Sequence, residues 1–304
     1  MLVTVLMSTY NGEKYLREQL DSIINQENVE LRIVVRDDGS SDGTVSILDE
    51  YSKKYKFISY YQGSQNLKPC KSFLELIRSN TDSDFFALSD QDDIWDKNKL
   101  ITAIRFLQAQ DQTMPALYFS NLRIVDENNK YYRNSHDVPR NLNNKYNALI
   151  ATAATGCTIV YNKKLAEIAN RVKPRTFSMH DTWLYLTCAF FGNVIYDFEP
   201  HINYRQHHDN VIGAQLSNRK LPHLTKEIKR LCDRNLQPRY DNAVEFLREF
   251  GTELSENDLK KVLEVVNYKR TRKTRNLLMN DQDIIPKDRF NRFRIRTLIR
   301  LGIV

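Results

Sequence analysis

Ser89-Asp90-Gln91-Asp92-Asp93-Ile94-Trp95 follows directly on the apolar run Phe85-Phe86-Ala87-Leu88. The order predicts a strand ending in an acidic loop, which can aim several carboxylate oxygens at one point just beyond a sheet edge. Hard divalent cations such as Mg²⁺ or Mn²⁺ take oxygen ligands and bridge a few carboxylates to the phosphates of a substrate. The segment reads as a metal–diphosphate site, with a solvated acidic turn as the plain alternative.

Working outward, the first hundred residues alternate short apolar runs with amphipathic stretches. Strands are expected at Leu2–Met7, Leu31–Val35, Phe57–Tyr61 and Phe85–Leu88. Helices are expected at Glu13–Gln26, Thr44–Tyr55, Lys71–Arg78 and Lys97–Gln108, each with one apolar face. Such alternation predicts an α/β fold with a mostly parallel sheet covered on both faces. Ligands of these sheets bind beyond the carboxyl ends of the strands, and the polar signatures all fall there. Ser8-Thr9-Tyr10-Asn11-Gly12 follows the first strand, Arg36-Asp37-Asp38-Gly39-Ser40 the second, Gln62–Lys71 the third and Asp90–Asp93 the fourth.

Thr9, Tyr10 and Asn11 offer hydroxyl, aromatic and amide groups to a base and ribose, and Asp38 can accept from a pyrimidine N–H. A turn with helix capping at Ser41 or Asp42 is the structural alternative for one of Asp37 and Asp38. No Gly-x-Gly-x-x-Gly follows the first strand and no Gly-Lys-Ser/Thr occurs, so dinucleotide and P-loop readings lose support.

The length of 304 residues suits one large domain or one domain with an appendage. Cys70, Cys157, Cys188 and Cys232 form no Cys-x-x-Cys pair, which fits a reducing cytosol rather than a disulfide framework or a zinc site. No signal peptide and no bilayer span are expected. Charge is uneven. Residues 215–304 hold 21 Lys/Arg against 12 Asp/Glu, a net of +9, whereas the preceding residues carry −2. Such asymmetry marks a surface for an anionic partner.

Beyond Pro115 the pattern changes. Ala116–Ser120, Ala154–Tyr161 and Val194–Tyr204 read as strands, His180–Phe191 as a helix, and Asn128–Asn144 as a surface loop. Asp181, near the start of that helix, is either a cap or a general base taking a proton from an attacking hydroxyl. In Tyr204-Arg205-Gln206-His207-His208-Asp209-Asn210, Arg205 can neutralise a diphosphate, and His207 is either a structural histidine or a neutral imidazole that completes a metal shell.

Asn11-Gly12-Glu13-Lys14-Tyr15-Leu16, Asp37-Asp38-Gly39-Ser40-Ser41-Asp42-Gly43-Thr44 and Ser89–Trp95 together closely resemble the family 2 glycosyltransferases of GT-A fold. Gly156-Cys157, His180-Asp181-Thr182-Trp183 and Arg205-Gln206-His207 resemble the bacterial rhamnosyltransferase-type members of capsule and cell-wall polysaccharide assembly. The likeness covers residues 1 to about 213. It implies a Rossmann-like mixed, mostly parallel sheet flanked by helices over 1–214, with 1–115 the nucleotide-binding half and 116–214 the acceptor half. Residues 215–304 would form a basic helical extension.

The resemblance further implies inverting transfer from a nucleoside-diphosphate sugar to a saccharide or lipid-linked saccharide acceptor. Ser8, Thr9, Tyr10, Glu13 and Asp38 would contact base and ribose, and Asn66 and Lys71 would lie near the nucleotide and its phosphates. Asp90 would hold the ribose or a metal-bound water, Asp92 the metal, and Asp181 would be the base. Gly156, His180 and Trp183 would face the acceptor. Relatives often carry Gly where this chain has Lys68. The Gln-x-x-Arg-Trp signature of processive synthases is missing, which implies one sugar per event. dTDP-L-rhamnose is the favoured donor and a UDP-hexose the runner-up. A non-catalytic nucleotide-sugar or polysaccharide-binding partner is the competing class.

Lys287–Val304 alternates Arg289, Arg292, Arg294, Arg296 and Arg300 with Phe290, Phe293, Ile295, Leu298, Ile299 and Leu301. This basic amphipathic pattern suits an anionic membrane surface, and peripheral attachment to the inner face of the plasma membrane is the expected location. A helix packed on its own domain is the alternative. Nucleic acid is not expected as a partner, because no reading motif accompanies the charge.

Overall fold

The structure, a computed structural model, describes residues 1–137, 144–175, 179–207 and 238–304. The chain forms two compact units. One comprises Met1–Asn141, Ala154–Arg171 and Phe191–Leu216, the other Leu142–Ala153, Val172–Phe190 and Ser217–Val304. The second unit therefore draws on two stretches of the expected acceptor half as well as on the basic extension.

Among the described residues the first unit has nine strands: β1 (Leu2–Thr9), β2 (Glu30–Asp37), β3 (Ile58–Gln62), β4 (Phe85–Ser89), β5 (Ile94–Trp95), β6 (Ala116–Val125), β7 (Tyr131–Asn134), β8 (Val160–Asn162) and β9 (Asn193–Arg205). They form one sheet in the order β3-β2-β1-β4-β8-β6-β9-β5, with β7 on β6. β3, β2, β1 and β4 run parallel. β8 is antiparallel to both β4 and β6, and β9 is parallel to β6. Two reversals restore the direction, so the carboxyl end of β9 emerges at the same edge as those of β1 to β4.

Around the sheet lie α1 (Leu16–Ile24), α2 (Thr44–Lys54), α3 (Lys68–Ser79), α4 (Lys99–Gln108) and α5 (Lys163–Arg171). Val3, Val5 and Met7 of β1 join Leu16, Leu20, Ile47, Leu48, Leu100 and Ile104 in one buried cluster. Leu6 points the other way and is equally buried, the period-two signature of a strand covered on both faces. Ahead of β9, a Cβ on Gly192 would stand 2.0 Å from the Pro115 carbonyl oxygen. That carbonyl accepts from Asn193 N at 2.9 Å, which starts the β6–β9 pairing.

Two expected elements differ. Ala154–Tyr161 does not run extended. Thr158 N and Oγ1 both donate to the Thr155 carbonyl, at 2.9 and 2.7 Å, and wind Gly156–Thr158 into a 3₁₀ turn before the short β8. The stretch 128–144 is not wholly loop, since it contributes β7 to the sheet margin; residues 138–143 lie outside the described residues.

The second unit contains the 3₁₀ turn Lys145–Leu149, most of α6 (His180–Phe191), and α7 (Pro238–Phe250), α8 (Glu256–Asn267), α9 (Arg272–Asn280) and α10 (Arg289–Leu301). Its centre is aromatic. The Trp183 ring lies 6.1 Å from Phe250 and 6.2 Å from Phe246, and Phe190 lies 4.8 Å from Phe246. These contacts explain why α6 groups with the C-terminal helices. Ser255, Thr271 and Asp288 cap α8, α9 and α10 with their side-chain oxygens. Gly302, in the left-handed region at φ 73°, closes α10. Ile295, Leu298 and Ile299 are buried, so the aliphatic face of the basic tail packs within this unit, while Phe293 and Leu301 are exposed. No helix among the described residues is long and apolar enough to cross a membrane.

Candidate active site

The loop after β1 is a fixed piece of backbone. Tyr10 N donates to Gln91 Oε1 at 2.8 Å and Gln91 Nε2 donates back to the Tyr10 carbonyl at 3.1 Å, so the acidic loop after β4 is stitched to the end of β1. Asn11 takes a positive φ of 48°. Its N–H donates to Ser40 Oγ and its Oδ1 accepts from Ser41 N, both at 2.9 Å. Glu13 Oε2 accepts from Gly43 N at 2.6 Å. Asn11 and Glu13 thus hold the β2–α2 loop in place. Ser8 Oγ meets Ser72 Oγ at 2.7 Å, Thr9 Oγ1 donates to Asp37 Oδ1 at 3.1 Å, and the Tyr10 side chain is exposed.

Asp37 and Asp38 divide their duties. Buried Asp37 accepts from Gly39 N and Ser40 N, at 3.1 and 2.9 Å, and sets the turn. Asp38 is only 2% exposed and pairs with buried Arg36. It also accepts from Leu67 N and Lys68 N, both at 2.8 Å. A base N–H would therefore compete for oxygens already engaged in fastening the β3–α3 loop. That fastening sets Lys68 at φ 65°, with Asn66 Oδ1 accepting from Lys68 N at 3.1 Å. Lys71 is exposed on the first turn of α3.

Left-handed backbone costs a residue with a Cβ about 1–2 kcal/mol, and a glycine's extra chain entropy offsets about 0.5–1 kcal/mol of any relief. Lys68→Gly is therefore expected to stabilise the chain by roughly 0.5–1 kcal/mol. Urea titration checks this; a drop in midpoint would show that the lysine side chain, not its backbone, governs the corner.

Asp90 and Asp92 are half-buried and Asp93 is wholly buried. Asp92 Oδ2 lies 2.7 Å from His207 Nε2. The His207 ring packs 5.0 Å from that of Tyr15, and the Arg205 guanidinium lies 4.7 Å over the same tyrosine. Arg205, expected to face a diphosphate, is 2% exposed and turned inward. It donates to the Asp92 carbonyl at 2.9 Å, the Glu127 carbonyl at 2.7 Å and the Glu18 carboxylate, while its own N–H donates to Asp93 Oδ1 at 3.0 Å. It braces the acidic loop against β9.

Beneath the loop lies a group that sequence reasoning did not find. Ligand atoms of Asp90, Asp93 and Cys157 lie within 4.8 Å of one another. Burial first, then the charges of Asp92 and Asp90, push the Asp93 carboxyl well up, and burial pushes the Cys157 thiol up as well. The neutral form of the Asp93 carboxyl is thereby favoured, beside the charges of Asp92 and Asp90. Asp92 offers the carboxylate oxygen that Mg²⁺ or Mn²⁺ prefers, beside the imidazole nitrogen of His207, whereas the soft Cys157 sulfur suits these ions poorly.

Lys99, the first residue of α4, is fully buried with Nζ 3.4 Å over the Trp95 ring and no hydrogen-bond partner among the described residues. Burial lowers its pKa to about 7. In the unfolded chain the amine would take a proton below about 10.5, whereas in the folded chain it does so only near 7. Stability should accordingly fall as pH drops from about 10 to 7. Lys99→Met is expected to melt higher at pH 7, by on the order of 2–4 kcal/mol, and to flatten that slope. Paired melts at pH 7 and pH 10 check this; parallel slopes in the two proteins would sink it.

His180, Asp181 and Trp183 belong to the helical unit. Trp183 is 1% exposed in the aromatic core and His180 is buried, with burial lowering its pKa. Asp181 is 8% exposed, and its Oδ1 accepts from Thr182 N at 2.6 Å. Gly156 opens the 3₁₀ turn that carries Cys157. His208, Asp209, Asn210 and Cys232 lie outside the described residues; Cys70, Cys157 and Cys188 form no disulfide with one another.

The mixed sheet flanked by helices is the GT-A fold, and solved structures share it. TarS of S. aureus (residues 1–349, in complex with UDP-GlcNAc) matches with a TM-score of 0.58 at 17% identity, covering 99% of this chain and 92% of that one. The mannosyltransferase PcManGT from Pyrobaculum calidifontis, in complex with GDP-Man and Mn²⁺, gives 0.52 at 17% identity, covering 98% and 84%. The model of glycosyl transferase family 2 matches residues 4–168; the chain belongs to this family and is a glycosyltransferase. Among named relatives, the dTDP-rhamnosyl transferase RfbG of Shigella flexneri is 33% identical over 229 residues, 69% of this chain and 75% of that protein. The abequosyltransferase RfbV of Salmonella typhimurium is 35% identical over 113 residues, 36% and 34% of the two chains.

Proposed function

We propose that the chain transfers one L-rhamnose, with inversion, from dTDP-L-rhamnose to a saccharide acceptor, lipid-linked, in bacterial surface polysaccharide assembly. The observation that carries the site is the Asp92–His207 pair at 2.7 Å, braced by Arg205 at the edge where β1, β2 and β4 end. The 33% identity to a dTDP-rhamnosyl transferase supports the donor. A divalent cation held by Asp92 and His207 would supply positive charge to the donor's diphosphate.

The remaining steps fall to the chain's own groups. Ser8, Thr9, Tyr10 and Asn66 line the route for base and ribose, and Lys71 offers a mobile cation near the phosphates. The buried Asp93 carboxyl, its neutral form favoured, adds little charge beside Asp90 and Asp92 where the diphosphate arrives. Asp181 takes the proton from the acceptor hydroxyl as its oxygen bonds to the anomeric carbon. The bond from that carbon to the diphosphate breaks, and the nucleoside diphosphate leaves. A UDP-hexose donor is the second reading, favoured by the fold shared with a UDP-GlcNAc complex. Location at the inner membrane face would rest on the exposed Phe293 and Leu301 among the basic residues of α10.

A screen of nucleotide sugars with Mg²⁺ or Mn²⁺, reading release of the nucleoside diphosphate, tests the reading. dTDP-L-rhamnose should be turned over fastest. Turnover of UDP-hexoses alone would replace the donor, and turnover of none would leave a binding partner.

A further inference from the structure

In the helical unit, a cavity of about 550 Å³ is lined by Lys269, Arg270, Thr271, Arg272, Arg275, Asn276, Met279 and Arg300. Five of these eight residues are cationic, and no carboxylate lines the cavity among the described residues. None of the five has an ion pair among the described residues, although elsewhere in the same unit lysines find carboxylates readily, as Lys261 does with Asp281 at 2.5 Å and Lys145 with Asp258 at 2.8 Å. Arg275 Nε is buried without a hydrogen-bond partner among the described residues. Lys269 is desolvated, its Nζ lying 3.8 Å over the Tyr240 ring and its pKa lowered by burial.

Lys269 has the Asp241 charge near it, but the four arginines gather around the cavity with no ion pair among the described residues; like charges repel, and a buried guanidinium N–H without an acceptor is destabilising. An anion would relieve both. The geometry of the opening favours one too. α9 begins at Arg272, so the positive end of that nine-residue helix lies beside Arg272 and Arg275, with the Thr271–Thr274 capping box occupying the Thr274 N–H. Across the cavity Arg300 reaches in from α10. Arginines presented from two helices match the several oxygens of a phosphate, which accept charge-assisted hydrogen bonds in pairs.

We propose that this cavity is a second anion site, taking a phosphate or diphosphate group. Two sources share that chemistry. One is the headgroup of an anionic phospholipid, for which Phe293 and Arg300, two turns apart on one face of α10, would set an apolar group beside the phosphate; the other is a soluble phosphate compound. The proposal stands on the helical unit and does not rest on the assignment of the donor site.

The test uses the full chain. Inorganic pyrophosphate is titrated calorimetrically in metal-free buffer against wild type, Arg272→Gln/Arg275→Gln and, as a milder surface change, Arg300→Gln. The double variant should bind about tenfold more weakly or worse, and the single variant should fall between. Sedimentation with vesicles of phosphatidylcholine, with and without phosphatidylglycerol, assigns the source. Loss of phosphatidylglycerol-dependent sedimentation in the double variant identifies the headgroup, and unchanged sedimentation alongside lost pyrophosphate binding identifies a soluble phosphate. Equal pyrophosphate affinity in all three folded proteins would overturn the site. So would weakening by Asp92→Asn in place of the arginine changes. Sugar transfer measured on the same variants should be unaltered, which keeps this result separate from that of the donor screen.

Discussion

Asp92→Asn should lower sugar transfer by roughly 10³-fold while leaving the melting temperature nearly unchanged. The substitution keeps the shape and leaves an amide oxygen able to accept from His207, 2.7 Å away, but it removes the charge. Loss of a ligand that helps to neutralise a leaving diphosphate is a loss of several kcal/mol in the transition state. The fold has little reason to respond, because the brace on this loop runs from Arg205 to the backbone carbonyl of Asp92, not to its carboxylate. His207→Ala should give a similar defect, and the double variant should be little worse than either, as for two groups acting as one unit. Steady-state rates over a titration of Mn²⁺ measure this. Defects that multiply in the double variant would show that the pair does not act together.

Asp181→Asn is expected to reduce turnover by about 10²–10⁴-fold with donor affinity intact. The competing reading, that Asp181 only supports the start of α6, has a separate signature. Its Oδ1 accepts from Thr182 N at 2.6 Å, and asparagine serves that role about as well as aspartate. A structural residue would therefore tolerate the change in both stability and rate. A base would not, because the amide cannot take the acceptor's proton. Calorimetric donor binding alongside the rate separates the cases, and wild-type turnover in the folded variant would end the assignment.

The parallel core and its polar edge were legible because they rest on local pattern. Leu2, Phe85 and Ala116 begin strands where the apolar runs begin, and α6 spans His180–Phe191 as its apolar content predicts. Elements whose identity depends on partners were not legible. β5 is two residues long and exists because Ile94 and Trp95 pair with β9. α5 buries Leu165, Ala166 and Ala169 within a stretch otherwise mostly charged and polar, so its low apolar content passes for loop. At the site, Asp92 and His207 carry chemical signatures of their own, whereas the raised pKa of Asp93 comes first from its burial, which only the assembled fold supplies. Arg205 misled for the same reason. A cation after a strand looks available until Glu18, from α1, is seen to occupy it.

The way the chain passes between its two units bears on biosynthesis. α6 leaves the ribosome with Trp183 and Phe190 before Phe246 and Phe250 have been translated. Until α7 follows, a large indole and a phenyl ring have no native cover, a state that invites association with other nascent chains or capture by chaperones. Completion of the C-terminal helices is then the event that retires this hazard.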